Sequence, residues 1–123
     1  VSVLLLSTAF GLSHAEYVTL LPKSITTAIG MGVSEELGGH VTVTVAAIIA
    51  TGMTGSTIAP GLCRLLKIHD PVAKGVAIGT ASHAMGTSKA MEMGETEGAM
   101  SSLAIVVSGI LTVAVVPFFS ELL

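Results

Sequence analysis

The chain opens on a run of mostly apolar residues, Val1 to Leu12, about twelve long. A complete membrane span needs ~20. The run is therefore expected to be the end of a transmembrane helix, or else a short interfacial helix. His14 to Leu21 reads as a short turn or interfacial piece. Pro22 then opens PKSITTAIGMGVSEELGG, in which Ile25, Ile29 and Val33 alternate with Gly30 and Gly32. Proline at a first helical position with Ser and Thr close behind is a start signal. Glu35, Glu36 and the pair Gly38-Gly39 end the segment. Pro22 to Leu37 is about sixteen residues, short for a span, which points to a re-entrant half-helix.

Two later stretches have the length and apolarity of full spans. Val41 to Leu62 carries no charge and has Pro60 near its end. Ala99 to Phe119 is roughly twenty uncharged residues, with Pro117 near its end and Ser102 and Gly109 as a packing face. Arg64, Lys67, His69 and Lys74 make the most basic loop, which the positive-inside rule assigns to the cytoplasm. Asp70-Pro71 starts the next helix.

Between these spans lies Pro71 to Gly94. Its apolar lead, Val72 to Ala81, is interrupted by Gly75 and Gly79. Thr80, Ser82, His83, Gly86, Thr87, Ser88 and Lys89 then follow almost continuously. Such a stretch is too polar to face lipid, so its backbone must be satisfied inside protein or line a wet cavity. A broken or re-entrant helix is expected here. The pattern also repeats. TTAIGMGVSEELGG followed by a span and Pro60 echoes TSKAMEMGETEGAM followed by a span and Pro117, with a small gap. Transporters are often built from such units, with broken helices in matching positions.

Composition strengthens the membrane reading. Hydrophobic residues make up 51% and charged residues 11%, with mean hydropathy +0.89; soluble domains average roughly 25% charged. The expected fold is all-α, a polytopic integral membrane protein with transmembrane helices and broken or re-entrant half-helices, forming one membrane domain over residues 1–123. Five basic residues and a net charge of −3 argue against nucleic-acid binding. The single Cys63 excludes an internal disulfide and a cysteine-based zinc site. The four scattered histidines form no metal motif, and no cofactor is implied. Adjacent Ser82 and His83 cannot take the geometry of a nucleophile and its base, so an enzyme of the Ser-His-Asp kind is not expected.

The candidate chemistry is that of a carrier. Histidine is the side-chain type suited to carry protons near neutral pH, so His83 is the candidate proton carrier, with hydroxyls from Thr80, Ser82, Thr87 and Ser88 around it. Lys89 and Glu92 are three apart on one helix face. Lys89 either holds a substrate carboxylate or is neutralised by Glu92, and Glu92 is a second candidate in proton coupling. Lys23, Ser24, Thr26 and Thr27 are the matching polar set at the start of the first half-helix, a natural carboxylate site. Glu95 is read as a solvated loop residue, and Glu97 as a carboxylate at a helix N-terminus.

LPKSITT at Leu21–Thr27, GTASHAMGTSKAMEMG at Gly79–Gly94 and EGAMSSLAIVVSGILT at Glu97–Thr112 strongly resemble the LrgB/CidB family. The resemblance covers the chain from about residue 9 onward and implies the carboxy-terminal half of a protein about twice as long. It implies a bacterial inner-membrane, multi-pass location and a holin–antiholin-like role in murein hydrolase activity and autolysis. A small LrgA/CidA-like membrane partner goes with that role. Other members resemble carriers of small monocarboxylates such as pyruvate, glycolate and glycerate. A lipid bilayer and a small organic anion are thus the expected partners, and a homo-oligomer is left open. Two positions depart from the family pattern. Ala28 stands where Pro is frequent, and Ser88-Lys89 where Ala-Arg is frequent. Lysine keeps the charge but lacks the bidentate fork of arginine.

Overall fold

The computed structural model describes residues 1–123 as six helices and no strands. α1 is Ser2–Phe10, α2 His14–Leu20, α3 Thr27–Glu36, α4 Val41–Leu65, α5 Pro71–Met93 and α6 Glu95–Ser120. Only α4 and α6 are long and apolar enough to cross a membrane. Both run past the expected ends, because Pro60 and Pro117 sit inside the helices rather than stopping them.

The expected start of the first half-helix is corrected. Pro22 is fully buried in a turn, held by Lys23 N–H to the Leu20 carbonyl and Ile25 N–H to the Pro22 carbonyl. Helix α3 begins five residues later, at Thr27. The missing N–H and fixed φ of proline suit this tight turn as well as they suit a helix start. Upstream, α2 is closed by a capping box. Ser13 donates its N–H and hydroxyl to Glu16 Oε2 at 2.8 and 2.7 Å, and these bonds hold the Glu16 carboxyl below its ordinary value.

Helix α5 is two arms rather than one rod. His83 has φ 43° and ψ −139°, which breaks the helix between Pro71–Ser82 and Ala84–Met93. The contacts show that the chain turns back there. On the first arm, Gly75 lies against Glu97 and Met100, and Gly79 against Ser101. On the second, Thr87 meets Ser101 and Met91 meets Gly98. The first arm therefore runs parallel to α6 and the second antiparallel. Gly86 packs beside the Ile78 carbonyl, eight positions back, which a straight helix would hold ~12 Å away. The expected break is present as a hairpin whose open ends lie beside the end of α4 and the start of α6.

A second hairpin enters from the other end. Thr44, near the start of α4, donates to the Thr19 carbonyl at 2.8 Å and lies 2.7 Å from Ser34 Oγ. Tyr17 donates to the Phe119 carbonyl at 2.7 Å, near the end of α6. From this end α2 leads inward to the turn at Pro22, and α3 leads back out, with Gly30 against the Ile48 side chain.

The interior is unusually polar. Ser7, Thr19, Ser34, Thr44, Ser82 and Ser101 are among the buried residues, while Leu103, Val106 and Ile110 face outward at 55–67% exposure. Soluble monomers rarely expose such a surface, which marks contact with a membrane or with further protein. The arrangement suits helices whose outer faces meet apolar surroundings and whose contacts rely on small residues and hydroxyls.

Candidate functional site

The centre of the site is the tip of the α5 hairpin. His83 is 4% exposed, and its Nε2 lies 3.0 Å from the backbone carbonyl of Ile48 in α4. A carbonyl only accepts, so Nε2 carries a hydrogen and donates it. The imidazole fits because position 52 is glycine: a Cβ there would stand 2.6 Å from Cε1 and 2.7 Å from Nε2. Thr87 donates to the His83 carbonyl at 3.0 Å and pairs with Ser101 Oγ at 2.7 Å, which fixes the second arm on α6. Ser82 packs on Gly55 of α4.

The other hairpin reaches the same level. Its tip holds Lys23, whose ammonium donates to Ser24 Oγ at 3.0 Å. Thr26 is the N-cap of α3 but makes no side-chain capping bond, and Thr27 is the first helical residue. The first N–H groups of a helix have no intrahelical partner. At both tips a helix N-terminus, at Thr27 and at Ala84, therefore points inward. Both hairpins converge on one residue of α4: Ile48 presents its side chain to Gly30 and its carbonyl to His83.

The expected site residues do not form one shell. Ser24 and Thr80 share an open groove of about 410 Å³ with Pro22, Ser108, Thr112 and Phe119. Thr80 already donates to the Val76 carbonyl at 2.8 Å. Ser82, His83 and Thr87 are buried on the inner side of the hairpin. Lys89 and Glu92 lie farther out, paired at 2.6 Å, beside a second cleft of about 490 Å³ lined by Arg64, His69, Lys74 and Glu97. Glu92 is nine positions from His83, ~13 Å along the arm. Glu95, read as a loop residue, is the first residue of α6. Glu97 stands in that first turn as expected, 3.6 Å from Lys74.

Sequence reasoning passed over Ile48, Gly52, Ser34, Thr44 and Ser101, which hold the hairpins. It chose Ser102 for the packing face, but Ser102 is exposed and bonds its own helix at Gly98, while its neighbour Ser101 is the buried one. The regular spacing of Gly98, Ser101 and Ala104 along α6 was a signal for the correct face.

The LrgB-like family model matches residues 1–122 of the chain. The Holin-like protein CidB of Staphylococcus aureus (strain N315) is 46% identical over 109 residues, which is 89% of this chain and 48% of that protein. The Antiholin-like protein LrgB of Bacillus mycoides (strain KBAB4) is 39% identical over 119 residues, 97% of this chain and 52% of that protein. The chain spans about half the length of the curated relatives it matches. No solved structure matches it.

Proposed function

Because this chain belongs to the LrgB-like family, we propose that it is the carboxy-terminal part of a multi-pass inner-membrane carrier of small monocarboxylates, of the pyruvate, glycolate or glycerate class. The observation that carries the reading is the pair of helical hairpins entering from opposite ends of α4 and meeting on Ile48. Half-helices whose N-termini face the middle of the membrane favour the anionic group of a solute. Lys23, Ser24, Thr26 and Thr27 stand at one tip and Ser82, His83 and Thr87 at the other, with Thr80 in the groove beside Ser24. Lys89 gathers the anion at the hairpin mouth. His83 exchanges the coupled proton, and Glu92, farther out in its pair with Lys89, faces the open end without contact to His83.

The test is uptake of labelled pyruvate and glycolate by the full-length protein in proteoliposomes. Wild-type protein takes up label, and His83→Ala loses uptake. His83→Gly, which relieves the positive φ, guards against a folding defect and loses uptake as well. Uptake at the wild-type rate in both variants removes His83 from the mechanism.

A second reading is an antiholin-like regulator of murein hydrolase activity and autolysis that moves no solute and acts with an LrgA/CidA-like partner. The relatives are named holin-like and antiholin-like. The buried pairs Ser34–Thr44 and Thr87–Ser101 would serve it purely as helix-packing contacts. Absence of flux together with an altered lysis rate favours this reading.

A further inference from the structure

The second cleft stands apart from the hairpin tips. It lies at the open end of the α5 hairpin, where the end of α4, the loop after it, both arms of α5 and the first turn of α6 come together. Its volume, about 490 Å³, is in the range of small-molecule sites. Arg64 comes from α4, His69 from the loop, Lys74 from the first arm and Lys89 from the second.

The charges in it do not cancel. Glu97 sits 3.6 Å from Lys74, and Glu92 sits 2.6 Å from Lys89. These are the two ion pairs of the chain, and both carboxylates of the cleft are used in them. Arg64 and His69 have no acidic partner. Arg64, Lys74 and Lys89 against Glu92 and Glu97 leave the lining with an excess of one positive charge. The excess is a guanidinium, whose planar fork matches two oxygens of one acid group. The Lys89–Glu92 pair is exposed and therefore weak, so Lys89 can turn to a bound anion at little cost. Pro60, Ile68 and Met93 supply an apolar wall for the remainder of a small molecule.

We propose that this cleft is an anion-binding site for one monoanionic oxyacid group, with Arg64 as its principal ligand and Lys74, Lys89 and His69 as supporting donors. Two sources can supply that group: a free carboxylic acid in solution, or the phosphodiester of an anionic lipid headgroup. The site does not depend on whether the hairpin tips carry a solute.

The experiment uses the full-length protein in nanodiscs of neutral phosphatidylcholine, titrated with pyruvate by calorimetry. In parallel, native mass spectrometry counts phosphatidylglycerol retained from mixed-lipid nanodiscs. Arg64→Gln, Arg64→Lys and His83→Ala are compared, each checked by thermal unfolding. Pyruvate affinity that falls at least tenfold in Arg64→Gln and recovers in part in Arg64→Lys supports the proposal with the free acid as ligand. Retention of phosphatidylglycerol that is lost in Arg64→Gln, without a pyruvate effect, supports it with the lipid as ligand. Folded Arg64→Gln that binds both probes as well as wild type overturns it, as does a wild-type protein that binds neither. Uptake that is lost in His83→Ala but kept in an Arg64→Gln variant whose pyruvate binding has fallen separates this site from the transport reading.

Discussion

His83 is held by what its neighbours lack. The imidazole reaches the Ile48 carbonyl only because Gly52 has no side chain, so the missing carbon is as much a part of the site as the ring. Gly52→Ala should push the ring off α4 and cost about 1–3 kcal/mol, the usual range for overpacking. Gly32 in α3 is the matched control, since a Cβ there meets nothing within 4 Å. Gly32→Ala should be neutral or stabilise by up to ~1 kcal/mol through reduced freedom of the unfolded chain. Thermal unfolding of the detergent-solubilised protein compares them. Equal melting points for the two variants would mean that the ring is not seated on Gly52.

At the scale of elements, the α5 break illustrates what a sequence can and cannot declare. The cluster from Thr80 to Lys89 announces a helix that cannot be an ordinary lipid-facing one, and the break falls inside it, at His83. Asp70 likewise caps its helix as its sequence suggests, accepting from Ala73 N–H at 2.7 Å ahead of Pro71. Partners were harder to read. A serine on a long apolar helix is a packing contact only where another helix brings a hydroxyl to it, as Thr87 does for Ser101. Nothing local distinguishes Ser101 from Ser102 except the face that its neighbours share. The start of α3 was misread for a similar reason: proline serves turns and helix starts alike, and burial decided between them. The break itself stores strain, because φ 43° is costly for any residue with a Cβ. His83→Gly and His83→Ala both lose the ring and its hydrogen bond, but only glycine relieves that backbone. The glycine variant should therefore unfold at a higher temperature than the alanine variant. The reverse order would show that the backbone at this position relaxes once the ring is gone.

Over the whole molecule, the two hairpins make contacts of the same kinds with the long helices. Each half-helix is tied to its own span by a hydroxyl pair at 2.7 Å, Ser34 with Thr44 and Thr87 with Ser101. Each also presses one side chain onto a glycine of the opposite span: Ile29 onto Gly109, and His83 onto Gly52. The register differs from the echo in the sequence, which set Thr26 against Thr87, because contacts place Ser34 in the role of Thr87. In the proposed carrier the two hairpin mouths, which lie at opposite ends of α4, would open on opposite sides of a membrane. Topology then has a sharp consequence. If α5 re-enters, Lys67 and Thr96 lie on one side, and Glu36 and Leu122 on the other. Single cysteines placed at these four positions in a Cys63→Ser background can be probed with a membrane-impermeant maleimide in sealed, oriented vesicles. Lys67→Cys and Thr96→Cys should react from the same face, and Glu36→Cys and Leu122→Cys only from the opposite one. Reaction of positions 67 and 96 from different faces would mean that α5 crosses the membrane rather than re-entering it.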